Sequence, residues 1–210
     1  EISNLDYNLG YTYFKQKNYS KATEHFQNYI SKASDDKLRL NDAFLRLGDG
    51  HFVSSDYRKA INAYERAIKM NEIETDYAFF QKAISHGYIS EGSIKIEQLN
   101  TFINDFKKST LRDDALYELG NSYVKINEVE KAMKMYDQLN SEYRASPYVS
   151  KSILRQGLVH YNAGKNELAL GKFKNVANNF KGTPEAVQAV STARLIYIDL
   201  GRVDEYADWV

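Results

Sequence analysis

The amino-acid sequence predicts an all-α protein made of repeated antiparallel helix pairs, and three observations carry that expectation. The 210 residues include only 2 Pro and 11 Gly, few helix breakers, beside 17 Tyr and 10 Phe that can fill the space between helices. Apolar residues recur three and four apart, the helical interval. Finally, Phe106, Tyr143 and Phe180 stand 37 residues apart, and each is followed three residues on by Ser109, Ser146 or Thr183. Pro147 and Pro184 repeat the interval, as do Gly120 and Gly157; Gly10 and Gly48 are 38 apart, with Ala83 in the slot between Gly48 and Gly120. Five units result, at about 3–35, 36–72, 73–109, 110–146 and 147–183, with a partial sixth at 184–210.

Each unit divides into two helical segments around a polar turn. In the first segment, Asp6, Phe44, Phe79, Leu116 and Ile153 stand four residues before the small anchor. Tyr7, Leu45, Phe80, Tyr117 and Leu154 stand three before it. In the second segment, Ala22, Ala60, Ala132 and Ala169 lie one turn before Phe26, Tyr64, Tyr136 and Phe173. A small residue facing a ring lets two antiparallel helices approach closely while the ring fills the gap. Gln16–Tyr19, Ser54–Tyr57, Asn127–Val129 and Gly164–Asn166 are polar connections of helix-pair length. The third unit departs most: Ala83 replaces the glycine and Lys95 stands where alanine is expected, which predicts helices shifted or spread apart. Ala186–Leu200 predicts a sixth first helix, Gly201 its stop and Val203–Val210 the start of a second. Because repeat arrays end in polar capping helices, the ending Ala207-Asp208-Trp209-Val210 reads as a segment of a longer array.

These residues resemble the tetratricopeptide repeat (TPR) pattern of Leu-Gly-x-x-Tyr, then Ala-x-x-x-Phe, then Pro. Leu9-Gly10-Tyr11-Thr12-Tyr13 with Ala22 to Phe26 fits it, and so does Leu119-Gly120-Asn121-Ser122-Tyr123 with Ala132 to Tyr136. Leu47-Gly48 with Ala60 to Tyr64, and Gly157 with Ala169 to Phe173, follow more loosely. The resemblance covers nearly the whole chain and implies a single right-handed α-solenoid of about five to six antiparallel helix pairs. The period near 37 is similar to that of TPR proteins of the Gram-negative periplasm, such as the lipoprotein of the outer-membrane β-barrel assembly machinery and the Tol–Pal coordinator protein. That likeness implies a periplasmic or outer-membrane-associated location, with the cytoplasm as the alternative. In those proteins Pro commonly follows the aromatic, whereas Lys107, Arg144 and Lys181 follow here.

Composition excludes several functions. Lys+Arg 28 balance Asp+Glu 28, so the chain lacks the global positive field that supports non-specific nucleic-acid or anionic-lipid binding. No apolar run reaches the roughly 18–20 residues of a membrane span. Without cysteine there is no disulfide, thiolate nucleophile or cysteine-ligated metal. His51, His86 and His160 share the slot three after the anchor, which Tyr13 and Tyr123 occupy elsewhere. Neighbouring copies of a slot lie roughly 10 Å apart, too far to share a metal whose bonds to nitrogen are about 2 Å; they read as packing residues. His25 reads as surface. Asp35-Asp36 and Asp113-Asp114 stand at the mouths of first helices and read as caps. Gly48-Asp49-Gly50 lies inside a helix with Val53 in the third glycine position, which argues against nucleotide binding. No cofactor, metal or catalytic constellation is expected.

Function is therefore expected on the surface the repeats build together. The resemblance implies that first helices line a concave groove through Tyr7, Tyr11 and Phe14, then Asp49 and Phe52, then Tyr77 and Tyr88. Asp114, Tyr117 and Asn121 follow, and then Lys151 and Tyr161. Such a tyrosine-rich surface suits a non-catalytic scaffold that binds a peptide segment or folded protein. The alternative is a structural spacer or self-associating segment of a larger envelope protein. Chaperone-tail TPR clamps place Lys three before the anchor, where this chain has Tyr7, Leu45, Phe80, Tyr117 and Leu154; of that clamp Asn121 alone remains.

Overall fold

The computed structural model describes residues 2–32 and 35–210, without the side chains of Ile2 and Ser3. The described residues form an all-α helical repeat fold with no strand. The chain divides into two compact units, Glu1–Arg112 and Asp113–Val210. The first holds α1 (Ile2–Lys15), α2 (Tyr19–Ser31), α3 (Lys37–Val53), α4 (Tyr57–Met70), α5 (Thr75–Tyr88) and α6 (Gly92–Asp105). The second holds α7 (Arg112–Lys125), α8 (Val129–Glu142), α9 (Tyr148–Asn162), α10 (Asn166–Asn179), α11 (Pro184–Asp199) and α12 (Val203–Trp209).

Every turn inside a pair is three residues long, and its middle residue is left-handed. Lys17, Ser55, Ser90 and Asn127 have φ of 59°, 61°, 63° and 59°, and Gly164 and Gly201 complete the set at 71° and 67°. A left-handed residue turns the chain back sharply enough for the second helix to lie against the first. Asn18, Asp36 and Thr183 cap α2, α3 and α11, each accepting the backbone N–H three residues on, from Lys21, Arg39 and Ala186. Asp36 thus caps as the sequence implies.

Within a pair the helices interlock at one point, sixteen residues apart in sequence. A methyl group placed on Gly10, Gly48, Gly120 or Gly157 would come within 2.8, 2.6, 2.5 or 2.6 Å of the ring of Phe26, Tyr64, Tyr136 or Phe173. All four rings are fully buried. Glycine is needed because the facing ring occupies the space a Cβ would take. In the third pair Ala83 and Leu99 stand at the same interval, both fully buried. Where the sequence predicts helices spread apart, a larger anchor is matched by a smaller partner. The stem of Lys95 packs over Gly87, since a Cβ there would lie 2.7 Å from Lys95 Cδ.

The serine three residues after the junction aromatic has a defined role. Ser109 Oγ donates to Asp76 at 2.5 Å and accepts the backbone N–H of Leu111. Ser146 Oγ repeats both bonds, to Asp113 at 2.6 Å and from Tyr148. Asp113 therefore also ties α7 to the junction before α9, beyond the capping role its position suggests.

If the interlock is a matter of matched volume, Gly157→Ala alone should destabilise the chain by about 1–3 kcal/mol through overpacking. Combined with Phe173→Leu, it should recover at least half of that loss relative to Phe173→Leu alone. Denaturant unfolding of the four members of the cycle measures this, and strictly additive effects would contradict it.

Candidate functional site

In the first unit, the interlocking ring sets the chemistry of the first-helix face. Tyr64, held against Gly48, carries its hydroxyl to the next residue of α3 and donates to Asp49 at 2.7 Å. Tyr77 of α5 donates to the same carboxylate oxygen at 2.7 Å, and Gln81 donates to the Tyr77 hydroxyl at 3.1 Å. Two turns earlier on α3, Asp42 accepts from Tyr7 at 2.6 Å and from Tyr11. Arg46 bridges the two carboxylates, with Nε 3.2 Å from Asp42 and Nη1 2.5 Å from Asp49, and reaches Glu74 at 2.9 Å. One guanidinium thus serves three carboxylates, two of which hold two tyrosine hydroxyls each.

Burial and these partners shift the ionisations together. Tyr64 is raised by burial first and then by Asp49. Tyr77 is pushed up to about 12 by burial and then Asp49, and Tyr11 to about 12 by burial and then Asp42. Burial disfavours the Arg46 charge, but Asp49 and Asp42 outweigh it and the guanidinium is held more firmly protonated than usual. Asp49 is buried, while Tyr7, Tyr11 and Tyr77 are half-buried with hydroxyls already engaged. Their hydroxyls are committed inward rather than free for a partner.

A second set lies at the turn end of the same pairs. Tyr88 is 60% exposed and stacks on Tyr57, with ring centroids 4.6 Å apart and planes within 9°. Phe52 meets both rings edge-on at 5.4 and 5.8 Å. One pair earlier, Phe14 meets Tyr19 edge-on at 5.2 Å.

The second unit repeats the theme with different atoms. Tyr136, interlocked with Gly120, donates to Asn121 at 2.7 Å, so the amide oxygen expected in the groove is engaged internally. Asp114 bonds the Tyr148 hydroxyl, and burial dominates in raising its carboxyl. Tyr117 packs on Tyr148 at 5.2 Å, and Arg155 bonds the Tyr117 hydroxyl. Lys151 is exposed with Nζ 5.5 Å from the Tyr148 ring centre, and Tyr161 is half-buried.

His86 is buried and pairs through Nδ1 with Glu91 at 2.5 Å, while His51 and His160 are half-buried in their slots. His25, expected on the surface, instead stacks on Tyr13 at 5.3 Å and pairs with Asp6 at 2.9 Å, because Tyr13 fills the histidine slot of this pair. No group of three or more His, Cys, Asp and Glu among the described residues is placed to hold a metal ion.

Arg46, Asp42, Tyr57 and Tyr148 are absent from the sequence-derived set. Asp42 was open to detection, since it stands six before its anchor, the register of Tyr77, Asp114 and Lys151. Arg46 stands outside the groove registers, and its role follows only from the two carboxylates on its own helix.

The tetratricopeptide repeat family matches residues 5–36 and 114–146. These stretches cover α1–α2 and α7–α8, the pairs with the fullest motif. Over those two stretches the chain matches tetratricopeptide repeats. No curated protein matches the sequence. Solved structures with the same repeat fold include a tetratricopeptide repeat protein from Parabacteroides merdae ATCC 43184, 13% identical with TM-score 0.75, over 99% of this chain and 77% of that one. MamA from Desulfovibrio magneticus RS-1 is 14% identical with TM-score 0.71, over 87% of this chain and 98% of that one. PilW, a widely conserved type IV pilus biogenesis factor, is 14% identical with TM-score 0.67, over 100% of this chain and 90% of that one. Among the described residues, no helix of the repeats is long and apolar enough to cross a membrane.

Two outcomes follow from these environments. Replacing Arg46 by Met leaves Asp42 and Asp49 without their cation, and should cost on the order of 3 kcal/mol in urea unfolding; a loss below about 1 kcal/mol would show that the tyrosine hydroxyls suffice. Burial is the first cause lowering His51, with Asp56 opposing and Lys59 assisting. Its unfolded form therefore binds protons more readily, so this stability is present above about pH 6.5 and is lost as pH falls below it. The melting temperature of His51→Gln should fall less than that of the wild type on acidification from about pH 7.5 to about pH 5.5, and equal slopes would refute this.

Proposed function

We propose that this chain is a non-catalytic scaffold that binds a peptide segment or a folded protein along the first-helix face of its repeats. The exposed Tyr88 ring, stacked on Tyr57 and flanked by Phe52, carries the reading. A tyrosine held in place by a stacked neighbour loses little rotamer freedom on binding, and exposed aromatics of this kind are the commonest anchors of protein interfaces. The groove residues belong to the proposal in two roles. Phe14, Phe52, Tyr88, Lys151 and Tyr161 offer contact area. Tyr7, Tyr11, Tyr77, Tyr117, Asp49, Asp114 and Asn121 brace the face through internal bonds. A periplasmic or outer-membrane-associated location belongs to the same proposal, supported by the 37-residue period.

Selection from a displayed library of random peptides tests the scaffold role without a known partner. Peptides enriched on the wild type should bind Tyr88→Ala at least about tenfold more weakly, with the melting temperature of the variant unchanged. Enrichment of no peptide, or equal binding to the variant, would contradict it.

A further inference from the structure

Resting on the scaffold reading, we infer that the turn edge of the first unit binds an acidic segment of a partner protein that also carries apolar or aromatic side chains. Phe14, Phe52 and Tyr88 stand at the C-terminal ends of α1, α3 and α5, while Tyr19 and Tyr57 begin α2 and α4. All five rings therefore lie at one end of three consecutive helix pairs. Ring contacts join Phe14 to Tyr19 and Phe52, Tyr57 and Tyr88 to one another. The close approach of α2 and α3 at Gly50, where a Cβ would lie 3.9 Å from the Tyr19 carbonyl oxygen, sets the Tyr19 end beside the last turn of α3. Exposed Val53 adds to the apolar strip. Packed helices lie 8–10 Å apart, so the strip suits roughly six residues of extended chain.

Charge selects the occupant. Lys15, Lys17 and Lys21 are exposed around Phe14 and Tyr19, and among the described residues none of them has a carboxylate partner. Lys21 instead lies over the Tyr13 ring at 5.1 Å. Two further cations of this edge are paired: Arg58 with Glu91 at 2.9 Å and Lys59 with Asp56 at 3.0 Å. The strip therefore carries three exposed lysines without a carboxylate partner, in a chain of zero net charge. The interior of the first-helix face has the opposite balance, with Asp42, Asp49 and Glu74 around the single Arg46. An acidic segment is attracted to the edge and repelled from the interior, where the tyrosine hydroxyls are already engaged. Partner carboxylates would meet the lysines, and its apolar side chains the rings.

Fluorescence anisotropy with the full chain and two labelled synthetic peptides tests this. One peptide alternates Glu and Phe, and the other replaces every Glu by Lys. The acidic peptide should bind at least about tenfold more tightly. Its affinity should fall with added salt, by about tenfold in Lys17→Glu combined with Lys21→Glu, and likewise in Tyr88→Ala. Lys69→Gln, exposed in the last turn of α4 at the opposite end of the pair, should leave it unchanged. Equal or tighter binding of the lysine peptide, lost in Tyr88→Ala, would overturn the acidic partner while leaving the scaffold intact. Binding of the acidic peptide that ignores both edge variants, or binding of neither peptide, would overturn the inference.

Discussion

The closeness of the two helices within a pair is the constraint on which the rest of this structure depends. Four of the pairs meet where a glycine of the first helix receives a ring from the second, with no room for one more carbon. The third pair carries Ala83 and Leu99 at the corresponding positions, both fully buried. That interlock fixes where the far end of the ring points. When the ring is tyrosine, its hydroxyl reaches the residue after the glycine, and that residue is polar: Asp49 receives Tyr64 and Asn121 receives Tyr136. Where the ring is phenylalanine, at Phe26 and Phe173, the corresponding residues are Tyr11 and Leu158, which need no such donor. Packing and surface chemistry are one choice made at the same position.

From that choice the polar face of the first unit grows outward. Asp49 brings in Tyr77 from the next pair and Arg46 from its own helix, and Arg46 brings in Asp42 with the hydroxyls of Tyr7 and Tyr11. A half-buried guanidinium with several engaged carboxylates is stabilising because each partner keeps its hydrogen bonds. The consequence for function is a division of the surface. The interior of the face is acidic with its hydroxyls engaged, while the turn edge carries the exposed Tyr88 ring among half-buried ones and lysines without a carboxylate partner.

Much of the fold is legible in the sequence because the interlock leaves a periodic mark. Gly10, Gly48, Gly120 and Gly157 and the rings sixteen residues later fix the helix pairs, and the polar triplets between them fix the turns. The third pair misleads when residues are compared slot by slot, since Ala83 and Lys95 each look like a defect; taken together, Ala83 and Leu99 conserve volume. The candidate site is less legible. Sequence places Tyr7, Tyr11 and Tyr77 on first helices but does not tell a free hydroxyl from one donated across 28 to 35 residues. Arg46 is overlooked because it stands outside the groove registers, although Asp42 four before it and Asp49 three after it lie at helical spacing. His25 shows the same limit, for its surroundings depend on Tyr13 taking the slot that histidine fills in other pairs.

A spectrophotometric titration of the tyrosines in the native chain tests the inward commitment of the hydroxyls most directly. Tyr7, Tyr64, Tyr136 and Tyr148 are raised beyond the ordinary phenol range, and Tyr11 and Tyr77 to about 12. These six should therefore ionise only above the ordinary phenol range or as the chain unfolds, leaving part of the absorbance change outstanding past pH 10. A single transition near pH 10 embracing all 17 tyrosines, with helicity intact, would contradict the account.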